Sequence, residues 1–440
     1  MERNNIRYAC YVQILEEELV PAMGCTEPIA LAYAAAKARE LLGELPDKVV
    51  LQVSGSIIKN VKSVIVPGTN HWKGLEAAAA AGIIAGHAER ELEVLSGVDD
   101  EERNAMSRYL DRVNITVEHI EEGHIFDIIV TEYAGEHSAK VRIADHHTEI
   151  VLMEKDGEIL YQKNTASGSG TDGSLAKTGS NGNGADQIAD RGLLTVEGIW
   201  DFANTCDLKD VEEVLDRQIR YNTAIAEEGL KGDYGANIGK VLLQSNGSDV
   251  RTRARAYAAA GSDARMNGCE LPVIINSGSG NQGMTCSLPL IVYAEELGAS
   301  HEKLLRALII SNLISIHEKT GIGTLSAYCG AVSAGAGAGA GIAYLKGGDY
   351  QTIIHTVVNA LAIVSGIICD GAKASCAAKI ASSVDAGILG YEMYCCGQEF
   401  KAGDGIVMKG IEATIDSIGR LGKDGMRATN DEIISLMIGE

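Results

Sequence analysis

The sequence predicts an α+β protein: a mainly helical catalytic domain with a small α+β module, built on an antiparallel sheet, inserted near its N-terminal end. Three observations predict it. From residue 190 onward nearly every segment has helical periodicity, among them DVEEVLDRQIRYNTAIAEEGL, SLPLIVYAEELG and HEKLLRALIISNLISIHEKTG. Residues 112–162 instead alternate apolar and polar side chains in short runs (VNITVEHI, HIFDIIVTEY, SAKVRIADHHTEIVLMEKDGEILYQK), broken at EEG, AGE and KDGE as hairpin-linked strands are. Small residues also replace aromatic ones as packing material, with 51 Gly against 3 Phe and 2 Trp in 440 residues, so the helices are expected to pack closely.

Taken in order, residues 3–20 read as an amphipathic helix ended by Pro21. The turn PAMGCTEP follows, and Pro28 suits the first turn of a helix over IALAYAAAKARELLG, capped by Thr26 or Glu27. Cys25 then lies just before a helix N-terminus, where the dipole favours thiolate. KVVLQVSGS and SVIVPG are β-rich, and HWKGLEAAAAAGIIAGHAERELEVL reads as a helix. Residues 164–189 are a Gly/Ser-rich linker; they lack the GxxxxGK[ST] or GxGxxG pattern of a phosphate loop. The chain thus divides into 1–44 plus 190–440 as the helical domain and 45–163 as the inserted module. Two stretches with at most one histidine among apolar and small residues, 326–345 and 352–369, are read as central helices of that domain. The first is Gly/Ala-rich and basic flanks are missing, unlike a membrane span.

The charge balance, 38 Lys and Arg against 60 Asp and Glu for a net −22, argues against nucleic acid or an anionic membrane as partner. It fits an enzyme of small metabolites. Ten cysteines and an N-terminal stretch unlike a secretory signal point to a reducing cytoplasm. A homodimer is the expected assembly.

Four cysteines carry the chemistry: Cys25 in PAMGCTEP, Cys329 in SAYCGAV, Cys369 in IICDGAK and Cys376 in KASCAAK. All four sit in turns rich in small residues, which let backbone approach a bulky group, and thiolates are the usual ligands of iron–sulfur clusters. Cys369 and Cys376 are seven positions apart, too wide for a zinc knuckle. A second constellation is the turn Asn276, Ser277, Gly278, Ser279, Gly280, Asn281, Gln282 and Gly283 between an apolar run and a helix, where free N–H groups and side-chain donors suit a carboxylate or phosphate. His317, Glu318 and Lys319 follow a long helix close to Cys329 and could orient substrate or move protons. Asp370 and Lys373 lie between Cys369 and Cys376, and the lysine could neutralise a cluster or bind a carboxylate. His146 and His147, on a strand, are read as solvated, because adjacent strand residues point to opposite faces.

These motifs resemble the iron–sulfur L-serine dehydratases, and most of all their L-cysteine desulfidase relatives. GCTEPIALAYAAAKA, SGSIIKNVKSVIVPG, INSGSGNQG, LSAYCGAVSAGAGAG, ICDGAKASC and GRLGKDGMRATNDEI carry the resemblance over nearly the whole chain. It implies a [4Fe-4S] cluster acting as a Lewis acid in the β-elimination of L-cysteine to sulfide, ammonia and pyruvate. Cys329, Cys369 and Cys376 match the dehydratase ligand positions, whereas the desulfidase pattern puts Cys25 beside Cys329 and Cys369; Cys286 stands in reserve. If Cys25 is not a ligand it is the first choice of base, ahead of Lys373 and His317. The turn at Asn276, Ser277, Gly278, Ser279, Asn281 and Gln282 would hold the substrate. A serine or hydroxy-amino-acid dehydratase and a non-catalytic amino-acid-binding protein stay open as alternatives.

Overall fold

The computed structural model describes residues 1–163 and 188–439, so all but the last two residues of the expected linker lie outside the described residues. Helix α1 (Ile6–Glu18) starts at Asn5, whose side chain accepts from the Arg7 N–H. A two-residue strand β1 (Pro21–Ala22) leads to α2 (Thr26–Leu42), closed by Gly43 in the left-handed conformation. Strand β2 (Lys48–Ser54) runs directly into α3 (Gly55–Val61), then α4 (Leu75–Ala85) and α5 (Asp100–Arg112). Strands β3 (Asn114–Ile120), β4 (Asp127–Ala134), β5 (His137–Ala144), β6 (Ile150–Lys155) and β7 (Glu158–Gln162) follow. The remainder is helical apart from β8 (Val273–Ile274): α6 (Val196–Thr205), α7 (Glu212–Lys231), α8 (Ile238–Asn246), α9 (Val250–Met266), α10 (Gly280–Leu297), α11 (His301–Ile322), α12 (Gly330–Leu345), α13 (Tyr350–Val364), α14 (Cys376–Cys395), α15 (Ile411–Arg420) and α16 (Arg427–Ile438).

The α+β, mainly helical class is as the sequence predicts. The six-stranded sheet has the order β3-β2-β4-β5-β6-β7 and is antiparallel except between β2 and β3, which run parallel. The exception has a cause in the chain: α3, α4 and α5 lie between these two strands, and a crossover of that length brings the second strand in alongside the first. The β-rich reading of KVVLQVSGS holds over Lys48–Ser54, which is β2, but not over its last two residues, nor over SVIVPG. Residues 55–61 form α3, and the second stretch contributes one bridge, Ile65 to Lys73. Helix α5 starts at a capping box between Asp99 and Glu102, a four-residue signal legible in the sequence and passed over there.

Helix α2 covers the sheet at β4 and β5, and α12 is the hub of the helical body, packed by α10, α11, α13 and α14. Almost every residue of α12 is buried. A Cβ at Gly339 would lie 2.6 Å from the Gly387 carbonyl oxygen of α14, so the two backbones touch and only glycine fits. Among the described residues no helix is long and apolar enough to cross a membrane. Strand β1 pairs with β8, joining the start of α2 to the turn before α10; this small ribbon positions the site.

Candidate active site

Four helix N-termini meet at one cleft. Cys25 is the N-cap of α2, Ser279 of α10 and Cys329 of α12, while Cys376 is the first residue of α14. None of these starts has a side-chain cap, so free N–H groups and the positive ends of four dipoles are concentrated there. Cys25, Cys329, Cys369 and Cys376 all line the cleft, and so do Ser277, Gly278, Ser279, Asn281 and Gln282 of the turn.

The thiol wall is held by backbone. Tyr328 and Ile368 form an isolated antiparallel bridge; the Cys369 N–H donates to Ala327 O at 2.6 Å and the Cys329 N–H to Ile367 O at 3.2 Å. Behind it the buried Lys59 of α3 donates from Nζ to Asn430 Oδ1 at 2.6 Å, Cys369 O at 3.4 Å and Ser326 O at 3.5 Å. Lys59 thereby ties α16 and both cysteine loops to α3. Burial lowers its ammonium, opposed by the charge of Cys369.

The opposite wall is the turn. Asn276 and Ser279 exchange two backbone hydrogen bonds, and Ser277 and Gly278 between them both have positive φ, +49° and +74°. This is the geometry of a type I′ turn. Asn276 is buried behind it, donating from Nδ2 to Asn312 and accepting from Ser277 Oγ; it does not line the cleft. Thr26 donates from Oγ1 to Gly278 O at 2.9 Å, which fixes the turn to the start of α2. Thr26 is therefore no helix cap, and the N-cap position expected of Thr26 or Glu27 belongs to Cys25.

Cys25 is also not driven to thiolate by the helix dipole. Burial pushes its thiol well up, and the neighbouring Glu27 carboxylate pushes further; Sγ donates to Glu27 Oε2 at 3.0 Å. Burial likewise pushes Cys376 up, and Cys329, with Cys369 next to it, up to about 12. Desolvation outweighs the dipole here, so the protein by itself keeps these groups as thiols until a metal displaces their protons.

Two expected residues sit elsewhere. His317 lies within α11, and its Nε2 is 2.6 Å from Glu412 Oε2 on α15 rather than at the cleft. Lys373 does not line the cleft either: it donates to the Asp370 and Gly371 carbonyls and pairs with the Asp370 carboxylate at 2.5 Å. Burial opposes ionisation of Asp370, yet Lys373 and Lys379 hold its carboxyl down at about 2. Lys373 is thus a brace of the loop between two cysteines. Cys286 is buried on α10, away from the cleft, and burial raises its thiol to about 12.

The structure brings further residues to the cleft, one of them from the trio read near Cys329. Lys319, two positions after His317, lines the cleft, its Nζ held by the Gly323 and Thr324 carbonyls; burial lowers it to about 8. Arg265, from the last turn of α9, is buried at the cleft wall. His147 is not solvated: it follows β5 in a turn, stands edge-on to Phe126 at 4.8 Å, and lines the cleft with Nε2 unpartnered. Gly278 presses on it, since a Cβ there would lie 2.8 Å from His147 Cε1. Lys59 alone carried a signal, as the lone charge in SGSIIKNV, whereas Arg265 shares AYAAAGSDARMNG with Asp263.

The donor set favours a multinuclear group over a single ion. Zinc bonded to sulfur at about 2.3 Å needs its sulfurs roughly 3.8 Å apart. Among the described residues, the one set of three His, Cys, Asp or Glu ligand atoms mutually within 4.8 Å is Glu212, Asp216 and His301, none of which lines the cleft. The four thiols are more widely spread, around small neighbours: Gly330, Ala331, Gly371 and Ala372.

Residues 89–435 match the serine dehydratase alpha chain family. A UPF0597 protein of Desulfitobacterium hafniense is 58% identical over 440 residues, all of this chain and 99% of the relative. UPF0597 proteins of Lachnoclostridium phytofermentans and Treponema denticola are 51% and 45% identical, each over at least 98% of this chain and all of the relative. By the extent of this match, and with the cysteine turns of the resemblance gathered at one cleft, the chain belongs to the serine dehydratase alpha chain family.

Proposed function

We propose that the protein is an L-cysteine desulfidase, a lyase that eliminates sulfide from L-cysteine with no net redox change. The observation that carries this reading is the convergence of Cys25, Cys329, Cys369 and Cys376 on one cleft opposite the Ser277–Gln282 turn. Cys329 and Cys369, with Cys376 or Cys25 as third, would hold a [4Fe-4S] cluster. Four helix N-termini and Lys319 give the cleft the positive surroundings that suit an anionic cluster. When bound with one iron free of protein ligands, such a cluster supplies a Lewis acid to the leaving sulfur.

The chain supplies the rest. The turn and the open start of α10 orient the substrate's polar groups against the thiol wall. The α-proton leaves to a side chain of the cleft as the Cβ–S bond breaks, its electron pair going with sulfide. The aminoacrylate so formed becomes an imine and hydrolyses to pyruvate and ammonia. If Cys25 is not a ligand, it passes its own proton to Glu27 and takes the substrate's. If it is a ligand, Lys319 Nζ is the base; a group near 8 suits proton abstraction at neutral pH. A thiol at Cys25, soft and cleft-facing, favours a sulfur substrate over serine.

The test is anaerobic reconstitution followed by assay of iron, acid-labile sulfide, and pyruvate formed from L-cysteine and L-serine. Turnover of cysteine well above serine is expected. A preference for serine would make the protein a dehydratase using the same site, and full iron with no turnover would make it an amino-acid-binding protein. Cys25→Ser and Cys376→Ser separate the ligand from its neighbour: one loses iron, the other keeps it.

A further inference from the structure

We propose that Arg265 is the carboxylate anchor of the cleft, and that the cleft admits only free α-amino acids, as zwitterions. This rests on the lyase reading for its substrate class, though not for its geometry. Arg265 is buried, yet among the described residues Nε and Nη2 have no hydrogen-bond partner and no carboxylate lies within 4 Å of the guanidinium. A buried cation with unused donors is costly, and a protein keeps one where a ligand completes it. Its position is built: a Cβ on Gly280 would lie 2.4 Å from Arg265 Nε and 2.8 Å from Cζ. The guanidinium thus rests against the first residue of α10, where the N–H groups of the uncapped helix start are also free. Two fixed, parallel N–H donors next to a helix N-terminus match a carboxylate.

The same wall holds the complement for an ammonium. Asn281 Oδ1 and Gln282 Oε1 line the cleft, buried and without donors. His147 Nε2 is a third unpartnered atom; burial lowers this imidazole, so it is neutral, and with its proton on Nδ1 the Nε2 accepts. One bidentate cation and neutral acceptors lining one cleft select a zwitterion over an ester or amide. The competing role for Arg265 is to balance the charge of Cys25 and Cys376, whose field it shares with Glu27.

The test compares L-cysteine with L-cysteinamide as substrates of the reconstituted full chain. It also compares L-serine with L-serinamide as calorimetric ligands of the cluster-free chain. The wild type is expected to favour the acid by at least about 100-fold, as sites built to hydrogen-bond one substrate group do. Arg265→Gln should bring that ratio close to one, mostly through KM, with iron and sulfide per chain unchanged, and Arg265→Lys should recover part of it. Equal use of acid and amide by the wild type overturns the anchor whether or not the variants fold. So does an Arg265→Gln chain that keeps the ratio or loses iron while binding L-serine normally. If no amino acid is turned over but L-serine binds through Arg265, the lyase reading fails and the anchor stands. If cysteine is turned over with an unmoved ratio, the reverse holds.

Discussion

The two walls of the cleft are built on opposite principles. On the thiol wall the backbone is satisfied by its own bridge, and Lys59 ties three segments together from behind. On the turn wall, Arg265, Asn281, Gln282 and His147 all keep buried polar atoms without partners. Buried polar groups are almost always paired. A wall whose backbone is paired, with Tyr328 Oη its one unpartnered side-chain atom, therefore marks where geometry must be set before anything binds, and a wall with four such residues marks where the ligand itself completes the hydrogen bonding. The first should respond to substitution in cofactor content and the second in substrate affinity.

The largest break in that contrast is Cys329→Ser. Its backbone N–H still bonds Ile367 O, so the loop and the fold should survive at a cost of about 1–2 kcal/mol, while iron retention and activity should both vanish. Iron analysis beside a urea titration separates these effects. Full activity in this variant would remove the cluster from the reaction. On the other wall, Gly278→Ala puts a Cβ against His147 in a residue at φ +74°. That strain of about 1–2 kcal/mol should raise KM roughly tenfold and leave iron content alone.

The contrast also governs what the sequence makes legible. Cys25, Cys329, Cys369, Cys376 and the Ser277–Gln282 turn could be read because each lies in a short stretch with an unusual local composition. Arg265 and His147 could not, and Lys59 offered only a lone charge in SGSIIKNV. Each belongs to an ordinary helix or hairpin, and its role comes from packing between segments more than a hundred residues apart, as with Lys59 and Asn430. The α+β class was legible from periodicity, but the parallel β2–β3 pair was not, because pairing direction follows from how α3 to α5 pack. Thiolate at Cys25 was misjudged for a related reason: a dipole can be inferred from a helix start, but complete burial cannot.

A smaller effect sharpens the electrostatics. Lys319 is held near 8, below its ordinary 10.5. Between those values the unfolded chain keeps a proton that the fold has lost, so this group makes stability rise with pH across the window. Below 8 the fold carries the full cost of the buried ammonium. Lys319→Met should therefore gain on the wild type at pH 7 by up to about 3 kcal/mol, less a pH-independent loss at the Gly323 and Thr324 carbonyls, and the gain should shrink towards pH 10. Denaturation of the cluster-free proteins at pH 7 and 9.5 reads the sign.

The smallest expected effect belongs to His317→Ala, and it bears most directly on how the site is divided. His317 and Lys319 stand 12 and 10 positions before Cys329, and both are candidates for moving protons. A helix turns about 100° per residue, so two positions place their side chains about 200° apart, on opposite sides of α11. One side meets Glu412, which also accepts from the Val196 N–H; the other meets the cleft. Glu412 is 43% exposed at its side chain, so the pair contributes no more than about 1 kcal/mol. Burial works against the Glu412 carboxylate, but the His317 contact outweighs it and holds the carboxyl below its usual range, so even that contribution fades as pH falls through the acidic range. Activity on L-cysteine should stay within about twofold of wild type, where Lys319→Met should lose far more than that. A large loss in His317→Ala would mean that the imidazole leaves Glu412 during turnover, and that the turn wall is completed from α11 as well as from α9 and α10.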